Sequence, residues 1–485
     1  MNAVPPNRGG GRQMAVNVVA GGGGNIIKVA LQLVMLPLMA RLLGPAEFGI
    51  YGLALPTVSF FMILADAGLG VSLARERGYN PTLWSTAFWL MLGVGISLAA
   101  VVAGWGVVLA HISGEPKILP VMATLSLSLL FLTASVLPTA RIMQQGRLVI
   151  LSVSDVISAL IGSAVAVVLA WQGAGAMSLA VQYVTVFLTR AVILNANAFV
   201  RPTFAFRLAE LKDHISTGTS IIASRLADFS GRLAENLIYG RAFGVAALGT
   251  FTFANQVPRF LGEAASNPIW AALYAHSVQD ENGGAKNAHA KLVYILALML
   301  APAAFILCAV TPLLISLFLG PKWQDASLLL QVLTPFYIMN VISSQSGAIL
   351  VARGRGWTLF WITMVLVVGR IGAITLGVEI FPLAVALAIG AVHTVFSTLM
   401  LAVPGRLGLI EIGRVARSLV GPLAAGALAG ALCWWILQSL SPTFLSACLA
   451  IAGSFAAYGV LILVFDGARV IAEGQAIARI VLKNR

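Results

Sequence analysis

The chain has 485 residues, of which 59% are hydrophobic and 10% charged, with a mean hydropathy of +0.94 and a formal net charge of +13. Ordinary soluble domains carry about 25% charged residues, so a soluble globular fold is excluded. At ~20 residues per spanning helix the apolar residues suffice for about 14 transmembrane helices and leave almost nothing for an aqueous domain.

A polar tail, 1–13, carries Arg8 and Arg12. The apolar run behind it, 14–42, is too long for a signal-peptide core and lacks a cleavage pattern, so it reads as a retained first span. Further apolar runs predict spans at 49–71, 83–111, 119–140, 149–171, 176–200, 215–240, 249–273, 291–319, 326–350, 357–379, 383–403, 418–439 and 445–465. Continuous runs without alternation of period two mean helices, and the fold class is an all-α integral membrane protein. The connections are short, the longest lying at 201–214 and 274–290. Residues 466–485 place Val470, Ile471, Ile477, Ile480 and Val481 near one helical face flanked by Arg479, Lys483 and Arg485, the pattern of an amphipathic helix lying on the inner leaflet. Cys308, Cys433 and Cys448 sit in apolar runs without metal-ligand spacing, so neither disulfides nor structural zinc are expected.

The cations carry the orientation. Twenty of the 30 Lys and Arg, from Arg8 through Arg75, Arg77, Arg141, Arg201, Lys212 and Lys286 to Arg485, fall on one side, and only Arg41, Lys117, Arg241 and Lys322 on the other. The first side is then cytoplasmic, with both termini inside. The basic balance therefore reports topology and gives no indication of nucleic acid. The remaining six, Lys28, Arg190, Arg225, Arg232, Arg259 and Arg370, lie within spans.

RLLGPAEFGIYGLA from Arg41 and RAFGVAALGTFTFA from Arg241 share Arg41/Arg241, Gly44/Gly244, Ala46/Ala246, Gly49/Gly249 and Ala54/Ala254 at an offset of 200. The same offset puts Asn25, Lys28 and Gln32 on Arg225, Asp228 and Arg232. Spans 1–6 and 7–12 are therefore expected to form two related six-helix lobes, an N-lobe at 14–200 and a C-lobe at 215–403 joined by a linker at 201–214. Their pseudo-two-fold axis runs along the membrane normal, and the helix pair 418–465 is an addition. Two such lobes suggest an alternating-access transporter, by analogy of architecture.

The embedded charges bear on function. In span 7, Arg225, Asp228, Arg232 and Glu235 are spaced by 3, 4 and 3 and share one face. A charge at mid-bilayer costs at least ~2.5–3.5 kcal/mol, so that face must look into protein or water. Span 1 repeats the theme with Asn17, Asn25, Lys28 and Gln32 around Gly21 to Gly24. Two readings stand: a structural ladder in which Asp228 and Glu235 neutralise Arg225 and Arg232, or a cationic lining for an anionic ligand, for which forked arginines suit phosphate. Lys28, Arg225, Arg232 and Arg259, with the amides of Asn25 and Asn255, are the candidate ligand-binding residues. Asp66, Asp228 and Glu235 are the candidate ion-coupling acids, Asp66 serving equally well as a partner for Lys28. Arg190 and Arg370 read as structural or snorkelling side chains. The histidines form no site: His111 ends a span, His214, His276 and His289 lie in or beside cytoplasmic connections, and only His393 is embedded. No catalytic or nucleotide-binding motif is present, and neither cofactor nor metal is implied.

The motifs RLLGPAEFGIYGLA (41–54), ADAGLGVSLARE (65–76), ENLIYGRAFGVAALGTFTFANQV (235–257) and LGPKWQDASLLLQVL (319–333), in this order, resemble the polysaccharide transporter family. These are Wzx-type flippases of the multidrug/oligosaccharidyl-lipid/polysaccharide superfamily. The resemblance implies a bacterial inner-membrane protein that moves an undecaprenyl-pyrophosphate-linked repeat unit to the periplasmic leaflet for exopolysaccharide, capsule or O-antigen synthesis. It further implies contact with membrane lipid and, as partners, a polysaccharide polymerase and a chain-length regulator. The family's span-7 acid beside an Asn corresponds here to Glu235 and Asn236, with Asp228 two turns earlier. The rival readings are a multidrug/cation antiporter of the same superfamily, which should have an anionic cavity, and a membrane-embedded ligase or polymerase, which should have a sizeable outer loop with carboxylates.

Overall fold

The structure is a computed structural model that describes the backbone of residues 10–66, 69–74, 80–207, 219–280 and 284–483. Every regular element among them is helical: α1 (Gly10–Asp66), α2 (Leu69–Ala74), α3 (Pro81–Ser113), α4 (Ile118–Gln144), α5 (Leu148–Trp171), α6 (Ala176–Ala198), α7 (Thr219–Gln279), α8 (Ala285–Leu314), α9 (Gln324–Ser344), α10 (Ser346–Ala352), α11 (Gly356–Gly377), α12 (Pro382–Arg406), α13 (Ile412–Ser439) and α14 (Phe444–Lys483). Twelve helices among the described residues are long and apolar enough to cross a membrane. Two of these, Ile27–Ala65 and Ile222–Gln279, each run through two of the spans expected from sequence. Both contain a break: the backbone is non-helical at Gly44 in α1 and at Gly244 in α7. Valines, leucines and isoleucines such as Val101, Val107, Leu160, Val192, Leu376, Val420 and Val464 are exposed along the helices. Large apolar surface of this kind is stable only against lipid, and the chain is a multi-pass membrane protein.

By packing the chain divides into two units, Met1–Gly249 and Thr250–Arg485. In the first, Leu83, Trp84, Ala87 and Met91 of α3 meet Val136, Leu137 and Ala140 of α4 over Leu69 and Leu73 of α2. Residues 201–207 of the expected linker are held against the start of α3: Trp89 Nε1 donates to Thr203 O at 2.9 Å, and Arg207 N to Thr86 Oγ1 at 3.0 Å. At the opposite end of the helices one carboxylate joins three segments. Glu47 accepts from Lys117 Nζ at 2.7 Å and from the backbone N–H of Ala176, the first residue of α6, at 2.8 Å. Gly175 makes room for it, since its φ is +57° and a Cβ there would lie 2.5 Å from Glu47 Oε2. The carboxylate thereby satisfies a free N–H at a helix N-terminus, and its hydrogen bond holds the Lys117 ammonium above the usual lysine range.

The breaks at Gly44 and Gly244 share one geometry, φ 76°, ψ 169° and φ 85°, ψ 167°, a region open only to glycine. Five residues after each break stands another glycine, and these two lie against each other. A Cβ on Gly49 would fall 1.9 Å from Val245 O, and one on Gly249 1.8 Å from Pro45 O, each also 3.0 Å from the other glycine's nitrogen. Backbone touches backbone here, as in other close crossings between membrane helices.

In the second unit the terminal helix pair packs on α8. Ile306 and Val310 meet Ala425, Ala429 and Cys433 of α13, with Ala447, Ala450 and Tyr458 of α14 completing the cluster. Gly426 and Gly430 face the backbone of Ala301 and Phe305, where added Cβ atoms would stand at 3.1 and 2.8 Å. Tyr458 Oη donates to Leu298 O at 3.1 Å. α14 breaks at Asp466, where the last expected span ends. Just beyond it Arg469 lies 3.9 Å over the Tyr294 ring and donates to Ser418 Oγ at 2.8 Å, tying the following segment to α8 and α13. Ile477, Ile480, Val481 and Arg479, on which the amphipathic face depends, lie outside the described side chains. All three cysteines are free.

Replacing Gly49 or Gly249 by alanine should force the two backbones apart and lower stability by at least about 1–3 kcal/mol, the usual penalty of overpacking. Gly93, inside α3, has open space at its Cβ position, so Gly93→Ala should be neutral or gain up to ~1 kcal/mol of helix propensity. Thermal unfolding in detergent checks the contrast.

Candidate functional site

In the first unit the candidate residues lie on two helices, α1 and the part of α7 before Gly244. The spacing of charges on α7 sets their pairing. Arg232 reaches back one turn and its Nη2 donates to Asp228 Oδ2, while its guanidinium sits 4.2 Å above the Phe229 ring. The i,i+4 ion pair leaves both side chains partly accessible, as expected of a helix face turned toward water and not hydrocarbon. Arg225, two turns before Arg232, is exposed and has no ion-pair partner among the described residues. The ladder is therefore half made: Arg232 is paired with Asp228, whereas Arg225 is not neutralised by its neighbours.

Glu235 is buried on the same helix. Beside it Asn236 Nδ2 donates to Gly52 O at 2.7 Å and fastens α7 to α1 beyond its break. Lys28 of α1 is half-buried and makes no ion pair among the described residues. The side chains of Asn25 and Asp66 lie outside the described residues, as do Arg8, Arg75, Arg77, Lys212, His214 and Arg485.

The other two candidates belong to the second unit. Arg259 Nε pairs with Glu263 Oε1 at 2.8 Å, again at i,i+4, and both remain partly exposed. Asn255 Nδ2 donates to Phe251 O at 3.1 Å, so one amide hydrogen is spent on its own helix. Arg370 is buried in α11 and does not snorkel to an exposed helix end. His289, expected in or beside a connection, is instead fully buried one turn inside α8, with Nε2 3.0 Å from Ser346 Oγ.

One charged group was missed in the sequence. Arg190 of α6 has a partner in Asp155 of α5, Nε to Oδ1 2.7 Å. The signal was present, because Asp155 stands midway between Val153 and Ile157, both of which face lipid, and so must point to the opposite side of its helix. Among the described residues no group of three or more His, Cys, Asp or Glu could hold a metal ion.

An all-helical membrane fold with charged groups on interior helix faces defines a transporter-like class, and comparison narrows it. Residues 38–328 match the family described as polysaccharide biosynthesis protein, and the chain belongs to that family. It is 24% identical over 350 residues to the succinoglycan biosynthesis transport protein ExoT of Rhizobium meliloti (strain 1021), covering 72% of this chain and 71% of the relative. It is 21% identical over 336 residues to the lipopolysaccharide biosynthesis protein WzxC of Escherichia coli (strain K12), covering 68% of each. Among solved structures the lipid II flippase MurJ in an inward closed conformation superposes with a TM-score of 0.73 over 94% of this chain and 100% of that one, at 11% identity, a likeness of fold.

Arg232→Gln removes the ion pair to Asp228 and should cost about 1–2 kcal/mol, whereas Arg225→Gln removes an exposed charge with no ion pair among the described residues and should change stability by less than about 0.5 kcal/mol. Parallel thermal unfolding of the two variants measures the difference.

Proposed function

We propose that the protein is a flippase that carries an undecaprenyl-pyrophosphate-linked oligosaccharide from the cytoplasmic to the periplasmic leaflet of a bacterial inner membrane. The observation that carries this reading is that Lys28 and Arg225, on membrane-spanning helices, make no ion pair among the described residues. A pyrophosphate headgroup cannot cross ~30 Å of hydrocarbon without a polar path, and cations lacking acidic partners supply the opposite charge along it. A cation antiporter needs the reverse polarity.

In this reading both termini are cytoplasmic and the 14 expected spans form lobes at 14–200 and 215–403, with 418–465 as an added pair. The equal backbone geometry at Gly44 and Gly244 supports the duplication. Lys28 and Asn25 of the first lobe and Arg225, Arg232, Asn255 and Arg259 of the second are the candidates for binding the head, while the polyprenyl tail stays in lipid. Asp66, Asp228 and Glu235 are the candidates for coupling to an ion gradient. Rocking of the lobes exposes the head to the periplasm, where a polymerase and its chain-length regulator would receive it.

The test is reconstitution in vesicles with a labelled undecaprenyl-pyrophosphate sugar. Leaflet transfer without covalent change is expected, and Lys28→Ala and Arg232→Ala should each slow it by about tenfold or more, the equivalent of one lost charged hydrogen bond. Variants that insert normally and transfer at the full rate would refute the site. A new glycosidic product would refute the function in favour of an enzyme.

A further inference from the structure

The ion pair between Asp155 and Arg190 has a setting that its role as a mere structural tie does not explain. On α5 the exposed residues Val153, Ile157, Leu160 and Ile161 mark the lipid side. On α6 Leu188 and Val192 do the same. Asp155 lies midway between Val153 and Ile157, and Arg190 midway between Leu188 and Val192, so at 100° per residue each is turned about 160° away from the lipid side of its helix. A pair turned inward in a packed bundle should be sealed. Instead the Asp155 side chain retains 38% of its accessibility and that of Arg190 22%. The pair therefore keeps accessible surface on the side of its helices turned away from the exposed apolar residues. Counting 1.5 Å per residue from Leu148 and from Ala198, it sits about 10 Å in from the helix ends that carry Arg147 and Arg201.

A second cation lies on a helix that packs beside the pair. Gly24 of α1 packs on α5, its Cβ position 3.2 Å from Ser152 Cβ and 3.6 Å from Val156 Cγ2, within a turn of Asp155. Lys28 follows Gly24 by one turn on the same face of α1. The wall is otherwise apolar: Tyr183 and Phe187, on the α6 face that bears Arg190, lie 5.1 Å apart, and Tyr183 Oη meets Met62 Sδ of α1 at 3.3 Å. Arg190 and Asp155 are thus paired beside an aromatic face, where ionic contacts are stronger than in bulk water.

Resting on the flippase reading, we propose that Arg190 is a phosphate-binding residue of that site and that Asp155 is its resting counter-ion. In the empty protein Asp155 neutralises and orients the guanidinium. An incoming pyrophosphate displaces the carboxylate, takes up the forked donors of Arg190 together with the Lys28 ammonium, and leaves Asp155 turned to the water of the cavity. Asp155 is thus a competitor for the substrate's own contact, and its removal has the opposite effect to removal of Arg190.

The experiment titrates purified full-length protein with undecaprenyl pyrophosphate in detergent, following binding by intrinsic fluorescence, with thermal unfolding recorded in parallel. Asp155→Asn should bind about threefold or more tightly, and Arg190→Gln about tenfold more weakly. Arg190→Lys, which keeps the charge and loses the fork, should fall between. In the Arg190→Gln background Asp155→Asn should have no effect. Phosphatidylglycerol at the same mole fraction should show no dependence on either residue; equal dependence would mean a resident phospholipid site and overturn the proposal. A purely structural pair would lower the melting temperature of both variants and leave affinity unchanged, or weaken binding alike in both, and either result overturns it. Weakening by Lys28→Ala without a response to Asp155 or Arg190 sinks this inference and spares the flippase site, whereas a wild-type protein that fails to bind the probe sinks both.

Discussion

A charge inside the hydrocarbon layer must meet a counter-ion or water, and this one requirement sorts the ionic side chains of the molecule. Its cost, ~2.5–3.5 kcal/mol or more for each charge, exceeds what local helix propensity can absorb. The chain meets it in three ways. Arg232 and Arg259 take an acid one turn away on their own helix, which needs only the right spacing. Arg190 takes Asp155 from a neighbouring helix, which needs the bundle to be assembled. Lys28 and Arg225 take neither among the described residues. Ion pairs on a single helix can persist through a conformational change, and a pair between helices is broken when they part. The unpaired cations are the ones whose environment a ligand would improve most.

Backbone geometry obeys a different constraint. Only glycine accepts the conformation at residues 44 and 244, and only glycine permits the contact at 49 and 249. These four positions make up two of the five identities at an offset of 200. At both, sterics leaves no alternative to glycine, whereas the positions between them other than Ala46 and Ala246 differ.

Much of the fold was legible because lipid reads composition directly. Long apolar runs place most helices to within a few residues, and the break at Asp466 falls where hydropathy ends the last span. The boundary between spans 1 and 2, and between 7 and 8, was legible as a glycine motif, although the helical backbone resumes so soon after each break that both pairs form single long runs. Pairing along one helix was equally readable, since Arg232 with Asp228 and Arg259 with Glu263 follow from a spacing of four. Pairing across helices was not. Asp155 and Arg190 are 35 residues apart, and nothing in either span names the other until α5 and α6 are packed. His289 was misplaced for a related reason: it stands near the end of an apolar run, and its burial depends on Ser346 arriving from a helix 57 residues later.

The proposed duplication would also separate what a scaffold needs from what a binding site needs. At the shared offset Lys28 stands where Asp228 stands, Asn25 where Arg225 does, and Glu47, which ties three segments of the first unit together, corresponds to Ala247. The backbone repeats, but the charges do not. A symmetric distribution of cations would suit a symmetric ligand or a bare ion. A lipid-linked sugar is neither: its pyrophosphate is joined to a tail at one end and a glycan at the other, and a single polar head has to be held once. In the proposed flippase the two stretches would share backbone geometry, while the charges on Lys28, Asp155, Arg190, Arg225 and Arg232 would favour one place for the head. Loss of symmetry in the side chains is then the expected outcome of retaining it in the backbone.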